Sequence, residues 1–309
     1  LTAFLTLFAL VAFAANSILC RLALRPGAID AATFTATRLA SGAVMLAALT
    51  AVTRQSARSG GAASRGARSS ASHAGSWTSA LLLFLYAMPF SLAYVSLGVA
   101  TGALILFLSV QATMLLGAIL TGERIHWLEV LGVAVALTGL VDLMSPGLSA
   151  PPLAGAALMA VAGIAWGLYS LRGRRSTDPI GETAINFTRS VPFALLGLAL
   201  AAPLGAIHLT QRGVALACAS GVLASGAGYA AWFAALPTLK ALRAAALQLT
   251  VPVIAAVAGV LLLGERATPR LVVSTALILG GVGLALGGRA IRARAAARSV
   301  AAPAERGSA

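Results

Sequence analysis

The chain has 309 residues, 59% of them hydrophobic and 10% charged, with a mean hydropathy of +0.93. Soluble domains of this size carry about 25% charged residues, so a water-exposed surface cannot be covered and a bilayer is the natural solvent. The formal charge of +14 lies in short clusters between apolar runs, where it orients a membrane protein; it forms no folded basic face of the kind that binds nucleic acid.

Windows apolar enough to cross a hydrocarbon core of ~30 Å follow one another at 2–20, 31–52, 78–97, 101–121, 126–144, 153–171, 183–202, 213–235, 243–263 and 271–288. The first has the length of a signal peptide, but similar runs follow it and no small-x-small cleavage site stands out, so it reads as a span. The numbering opens without Met, so a longer gene product is expected. Arg25-Pro26-Gly27, Gly122-Glu123-Arg124, Ser145-Pro146-Gly147, Arg172–Pro179 and Gly264-Glu265-Arg266 separate the spans. The Ser-, Gly-, Ala- and Arg-rich segments 53–77 and 289–309 have little to bury, and a disordered basic cytoplasmic tail is expected over 291–309.

Arginine sets the expected orientation. With the N-terminus inside, inner loops and the C-terminal tail hold 15 basic residues, among them Arg54, Arg124, Arg172 and Lys240, against five outside: Arg21, Arg25, Arg212, Arg266 and Arg270. Both termini are therefore expected to be cytoplasmic. Because 21 of the 22 basic residues are arginine and Ala and Gly abound, the composition is that of a GC-rich bacterial genome.

An internal repeat organises the chain. Gly122-Glu123-Arg124 recurs as Gly264-Glu265-Arg266, 142 residues later, and in the same register Gly117, Val130, Ala134 and Gly139 meet Gly259, Val272, Ala276 and Gly281. Thr37-Arg38 recurs as Thr188-Arg189, 151 residues later, the register change falling in loop 53–77. Two five-helix units are predicted, 1–147 and 151–290. An odd number of spans makes the second enter the membrane from the opposite side, the inverted-repeat architecture of many transporters, with the substrate near the midplane.

Candidate residues follow from polarity and depth. Arg38 and Arg189 lie inside spans two and seven, where a charge costs about 2.5–3.5 kcal/mol at a helix centre. Two readings stand: gating or attraction of an anion from the cavity wall, or a structural charge that snorkels or pairs with carbonyls. Asn16, Gln111 and Asn186 need partners away from lipid. With Tyr86, Tyr94, Trp166, Tyr169, Tyr229 and Trp232 they make a candidate wall for a neutral or zwitterionic substrate with apolar bulk; singly, each is also explained by helix packing. Pro89, Pro192, Pro237 and Pro252 are candidate hinges. Gly98/Gly102, Gly163/Gly167 and Gly283/Gly287 have the spacing of close helix contact.

No Asp or Glu falls at the centre of a span, so an obvious proton relay is missing. Cys20 and Cys218 read as apolar filler. No metal site, cofactor or catalytic pair can be assembled, and Ser225 lacks the glycines of a nucleophile elbow.

The twin stretches Leu116–Leu140 and Pro252–Gly283, with Arg38-Leu39-Ala40, resemble the ten-helix, EamA-type branch of the drug/metabolite transporter superfamily over about 2–288. The resemblance implies a bacterial inner-membrane exporter with two inverted five-helix halves around a central cavity; a monomer is expected. The branch it favours is that of YddG-type aromatic amino acid exporters. Val110 stands where the first-half counterpart of Pro252 is usual, so a kink is expected in one half only. Span one carries Asn16 and Ser17 and no acid, so the proton exchange of the four-helix multidrug relatives does not transfer. The expected function is export of aromatic or other bulky neutral amino acids, or similar metabolites, by alternating access. Multidrug or nucleotide-sugar transport is the alternative within the superfamily, and a passive channel or structural subunit the alternative outside it.

Overall fold

A computed structural model describes residues 2–24, 27–59, 75–120, 126–144, 150–173, 176, 178–205, 207–235, 247–248 and 250–301. In chain order the helices are α1 (Thr2–Leu24), α2 (Ala31–Ser59), α3 (Trp77–Ser96), α4 (Val99–Leu120), α5 (Trp127–Met144), α6 (Leu153–Gly173) and α7 (Pro179–Ala201). Then come α8 (Gln211–Ala219), a π-helical stretch (Ser220–Ala227) and α9 (Gly228–Ala235), which run on as one rod, followed by α10 (Thr250–Leu263) and α11 (Pro269–Ala301). Seven of the resulting rods are long and apolar enough to cross a membrane, and the described parts of α4 and α10 are shorter apolar helices. With α5 these make ten rods among the described residues, an all-α polytopic membrane fold.

Short polar side chains start the helices. Asp30 accepts from Thr33 N at 2.8 Å, Ser76 from Ser79 N at 3.0 Å, Asp178 from Gly181 N at 3.0 Å and Thr210 from Gly213 N at 3.1 Å. Each satisfies one of the amide donors a helix leaves open in its first turn. Pro179 follows its cap at the first helical position, where no donor is lost. The outer faces carry exposed Phe4, Leu7, Val44, Leu85, Leu131, Leu200 and Leu261, far more apolar surface than water tolerates. Lipid is the solvent these faces fit.

The connections sort into two groups. The turn after α1 meets the turn after α7: Asp30 N donates to His208 O at 3.0 Å and Thr210 N to Ala28 O at 2.8 Å. The turn after α3 meets the turn after α10, where Val99 N bonds Glu265. At the other end Arg172, closing α6, reaches Ser76 and Ser79 at the start of α3, and Gly288 of α11 lies against Glu129 at the start of α5. Each of these meetings thus joins two connections reached after an odd number of rods or two reached after an even number. That is the pattern of rods that each cross the bundle.

The main pairings are α5 with α11, α1 with the α8–α9 rod, α3 with α6, α2 with the α8–α9 rod, α2 with α7, and α4 with α6. The α5–α11 crossing depends on small residues: a Cβ on Gly281 would meet Ala136 N and Gly132 O at 2.5 Å, and one on Gly139 would meet Leu277 Cβ at 2.8 Å. Close approach of this kind replaces the hydrophobic driving force that lipid removes. Gly163 and Gly167 likewise admit Ser109 and Thr113 of α4. Gly283 and Gly287 do not fit the expected close contact, since a Cβ on either would meet nothing within 4 Å. Both lie on the open side of α11, and the contact falls to Gly281 and Gly288 instead.

Two boundaries differ from the sequence reading. α2 continues to Ser59 and α11 to Ala301, past the spans predicted to end at 52 and 288 and into the segment expected to be a disordered tail from 291. The extension of α11 is rich in Ala and Arg, which rank among the strongest helix formers. Pro237, Lys240 and the first Gly-Glu-Arg copy lie outside the described residues.

Candidate functional site

A cavity of about 40 Å³ lies between α1, α2, α3, α4, α6 and the α8–α9 rod, with Gln248 at its edge. Its aromatic wall is Phe13, Tyr86, Phe90, Phe107, Trp166 and Tyr229; its polar wall is Asn16, Ser17, Arg38, Ser225 and Gln248. The rings of Phe13, Tyr86, Phe90, Trp166 and Tyr229 form a continuous cluster. Tyr86 and Trp166 centroids lie 4.9 Å apart, Trp166 and Tyr229 5.3 Å, and Phe13 and Tyr229 5.7 Å, all tilted, within the range at which such pairs attract.

Arg38 is 1% exposed. Its Nη2 donates to Tyr86 Oη at 3.1 Å and its Nε to Ser225 Oγ at 3.2 Å. The guanidinium carbon stands 5.2 Å from the Tyr86 centroid and 5.3 Å from that of Phe90, so two ring faces partly compensate the charge. Nη1 is buried and has no hydrogen-bond partner among the described residues. Asn16 extends the network: its Nδ2 donates to Tyr86 Oη at 3.2 Å and its Oδ1 accepts from Ser220 Oγ at 2.6 Å. One chain of polar groups, Ser220–Asn16–Tyr86–Arg38–Ser225, therefore runs through otherwise apolar packing.

Both serines of this chain belong to the π-helical stretch, a feature common at functional sites. Gly221 sets how near it comes to α2: a Cβ there would overlap Ser41 Oγ and the Arg38 carbonyl oxygen. Only glycine lets the rod approach closely enough for Ser225 to reach Arg38.

Of the predicted wall residues, Asn16, Tyr86, Trp166 and Tyr229 come together on the cavity. The others stand outside it. Tyr94 is behind Phe90, ring to ring at 4.8 Å, with its hydroxyl 3.4 Å from Val99 O. Tyr169 stacks on the far side of Trp166 at 5.5 Å and accepts from Asn186 Nδ2 at 3.4 Å. Trp232 packs edge-on to Phe13 at 6.0 Å, in a separate apolar cluster with Ala9, Leu10 and Val99. Gln111 lines a second space of about 10 Å³ among α4, α5 and α11.

The repeat mates Arg38 and Arg189 have different surroundings. Arg189 is half-buried near the start of α3, its guanidinium 5.5 Å from the Trp77 centroid. Pro89 and Pro192 are inside α3 and α7, whereas Pro252 falls in the first turn of α10. Sequence reasoning missed Phe13, Phe90 and Phe107 because nothing distinguishes a wall phenylalanine from a lipid-facing one. It also left out Ser220 and the structural use of Ser225, whose only signal is the density of Ser and Gly over 220–228. Among the described residues no group of three or more His, Cys, Asp or Glu is placed to hold a metal.

Comparisons with known proteins agree with this architecture. One solved crystal structure superimposes with a TM-score of 0.61 at 21% identity, covering 94% of this chain and 99% of that one, which establishes the fold alone. The EamA-like transporter family model matches residues 153–287. An uncharacterized transporter of Archaeoglobus fulgidus is 30% identical over 194 residues, 61% of this chain and 67% of its own. The chain belongs to the EamA-like transporter family. A probable amino-acid metabolite efflux pump of Salmonella typhimurium is 28% identical over 206 residues, 61% of this chain and 68% of its own. An uncharacterized protein of Pseudomonas aeruginosa is 50% identical over 292 residues, 94% of this chain and 96% of its own. The EamA-like assignment makes this a transporter of the drug/metabolite superfamily and a multi-pass membrane protein.

Proposed function

We propose that the protein exports amino acids with bulky, aromatic or otherwise apolar side chains, or similar small metabolites, across the bacterial inner membrane by alternating access. The observation that carries this is the central cavity, where a buried arginine and an aromatic wall converge from both halves of the chain. A mostly apolar space with a few placed polar groups is how small-molecule sites are built. The names of the amino-acid efflux relatives support the substrate class.

The two-unit reading draws support from the pairings α2–α7 and α5–α11, which join helices that the internal repeat equates. It is supported equally by α1–α9 and α3–α6, which the exchange of units turns into each other. Units related in this way give two related conformations open to opposite sides. At about 40 Å³ the cavity has room for a few waters only, so a substrate enters as the walls part. Pro89, Pro192 and the π-helical stretch are places where helices bend readily.

The test is counterflow of a radiolabelled amino acid panel in proteoliposomes beside protein-free liposomes. Saturable exchange selective for bulky amino acids is expected. Unsaturable conductance sinks the reading, and no exchange of any amino acid by folded protein sinks the amino acid assignment.

A further inference from the structure

We propose that the cavity recognises its substrate as an organic anion: a carboxylate bound by Arg38 with a flat apolar body against the aromatic wall, and no requirement for an ammonium group. The inference deepens the transport reading above and rests on it for the site being a transport site.

Charge is the first argument. Arg38 is buried within the bundle, and its bonds go to the neutral hydroxyls of Tyr86 and Ser225. A buried cation without a counter-ion is costly. The eight carboxylates of the whole chain are Asp30, Glu123, Glu129, Asp142, Asp178, Glu182, Glu265 and Glu305, and each belongs to a connection, a helix end or the C-terminal tail. Among the described residues no acid lines the cavity beside Arg38. A negative charge has to come from the ligand.

Donor geometry is the second argument. A guanidinium presents five N–H donors in a fixed fork suited to a carboxylate. Nε and Nη2 each hold one hydroxyl, while the Nη1 donors have no acceptor among the described residues. Unmet donors on a buried charge are penalised, and a carboxylate on Arg38 removes the penalty by a charge-assisted bond.

The same inventory says what the site does not recognise. An α-ammonium group would find no carboxylate on the wall, only neutral acceptors such as Asn16 Oδ1, which already accepts one bond from Ser220. Ring faces and neutral amides hold an ammonium only weakly beside a fixed guanidinium. The body of the ligand has Tyr86, Phe90, Trp166 and Tyr229 to lie against. Aromatic 2-hydroxy acids are thus expected to serve at least as well as the corresponding amino acids, and amines lacking a carboxylate are expected to be rejected.

Three probes sharing one phenyl ring test this on the full-length protein: phenylalanine, phenyllactate (hydroxyl for ammonium) and phenylalaninamide (no carboxylate). Counterflow is measured with protein-free liposomes subtracted. Binding is read separately in detergent from quenching of tryptophan fluorescence, since Trp166 lies on the wall. Phenyllactate is expected to bind and exchange within a few-fold of phenylalanine or better, and phenylalaninamide at least about tenfold more weakly, the scale of a lost charge-assisted bond. Arg38→Gln is expected to weaken phenyllactate about tenfold or more, while Arg38→Lys, which keeps the charge, retains a measurable part of it. Exchange of phenylalanine without phenyllactate overturns the inference and leaves amino acid export standing. Phenylalaninamide matching phenylalanine, or no binding of phenyllactate to folded protein, also overturns it. Binding of phenyllactate without exchange of any probe keeps the anion site and sinks the transport reading instead.

Discussion

Glu265 and Val99 are joined across the length of the chain: both carboxylate oxygens of Glu265 accept the backbone N–H of Val99, at 2.8 and 2.9 Å. Val99 opens α4, where unpaired amides and the helix dipole favour negative charge. Gly264, at φ +63°, ends α10 in the left-handed region that glycine adopts without strain and so delivers Glu265 to its partner. Gly98 and Gly259 leave room for the carboxylate, which a Cβ on either would approach to about 3 Å. The Gly-Glu pair is thus a helix stop followed by a cap for another helix.

Glu265→Ala is expected to lower stability by about 0.5–2 kcal/mol, the usual cost of losing an N-terminal cap, with Glu265→Gln losing less. Thermal unfolding in detergent checks the order. Equal stability of Glu265→Ala and the parent protein would contradict a capping role.

Tyr86→Phe keeps the ring beside Trp166 but removes the oxygen that accepts from both Asn16 and Arg38. Leaving buried donors unpaired costs about 1–3 kcal/mol. A lower unfolding temperature together with slower exchange in proteoliposomes is expected, and an unchanged protein on both counts would show that the hydroxyl is dispensable.

Two glycines two residues apart on α11 separate packing from mere small size. Gly281→Leu drives a side chain into the α5 backbone and is expected to cost at least about 1–3 kcal/mol or to prevent folding. Gly283→Leu projects into open space and should fold with near-parental yield. Size-exclusion profiles of the two variants, expressed side by side, decide it.

Arg189→Gln is expected to leave exchange unchanged, because Arg189 stands by Trp77 and away from the central cavity. Loss of its ring contact at this half-buried site costs about 0.5–2 kcal/mol. If Arg189→Gln abolished transport with the fold intact, the two arginines would act as a pair after all.

Topology reporters supply an independent check. A fusion at residue 309 is expected to read as cytoplasmic and one inserted near residue 205 as periplasmic, following the arginine asymmetry of the connections. A periplasmic C-terminus would overturn the ten-span orientation.

Hydrophobic length and charge are local quantities, so the sequence by itself determined that this is a polytopic helical membrane protein, and roughly where its rods begin and end. The depth of Arg38 and Asn16 was legible for the same reason. What a helix presents to its neighbours is not local. Four of the nine wall candidates reached the cavity, while Tyr94, Tyr169, Asn186 and Trp232 ended one layer behind it and Gln111 beside another space. Depth along a helix is readable from position, but rotation about its axis depends on which partner packs against it. Only the tertiary structure decided that Gly281 and not Gly283 faces α5. It also put Ser220 and Ser225 beside Asn16 and Arg38, through a close approach that Gly221 permits. The repeat predicts like positions for Arg38 and Arg189, yet one is enclosed by α3 and the π-helical stretch and the other rests on Trp77. In lipid, where apolar surface does not select a partner, such contacts depend on small-residue approach and on polar groups finding each other, and both arise only when helices distant in sequence are brought together.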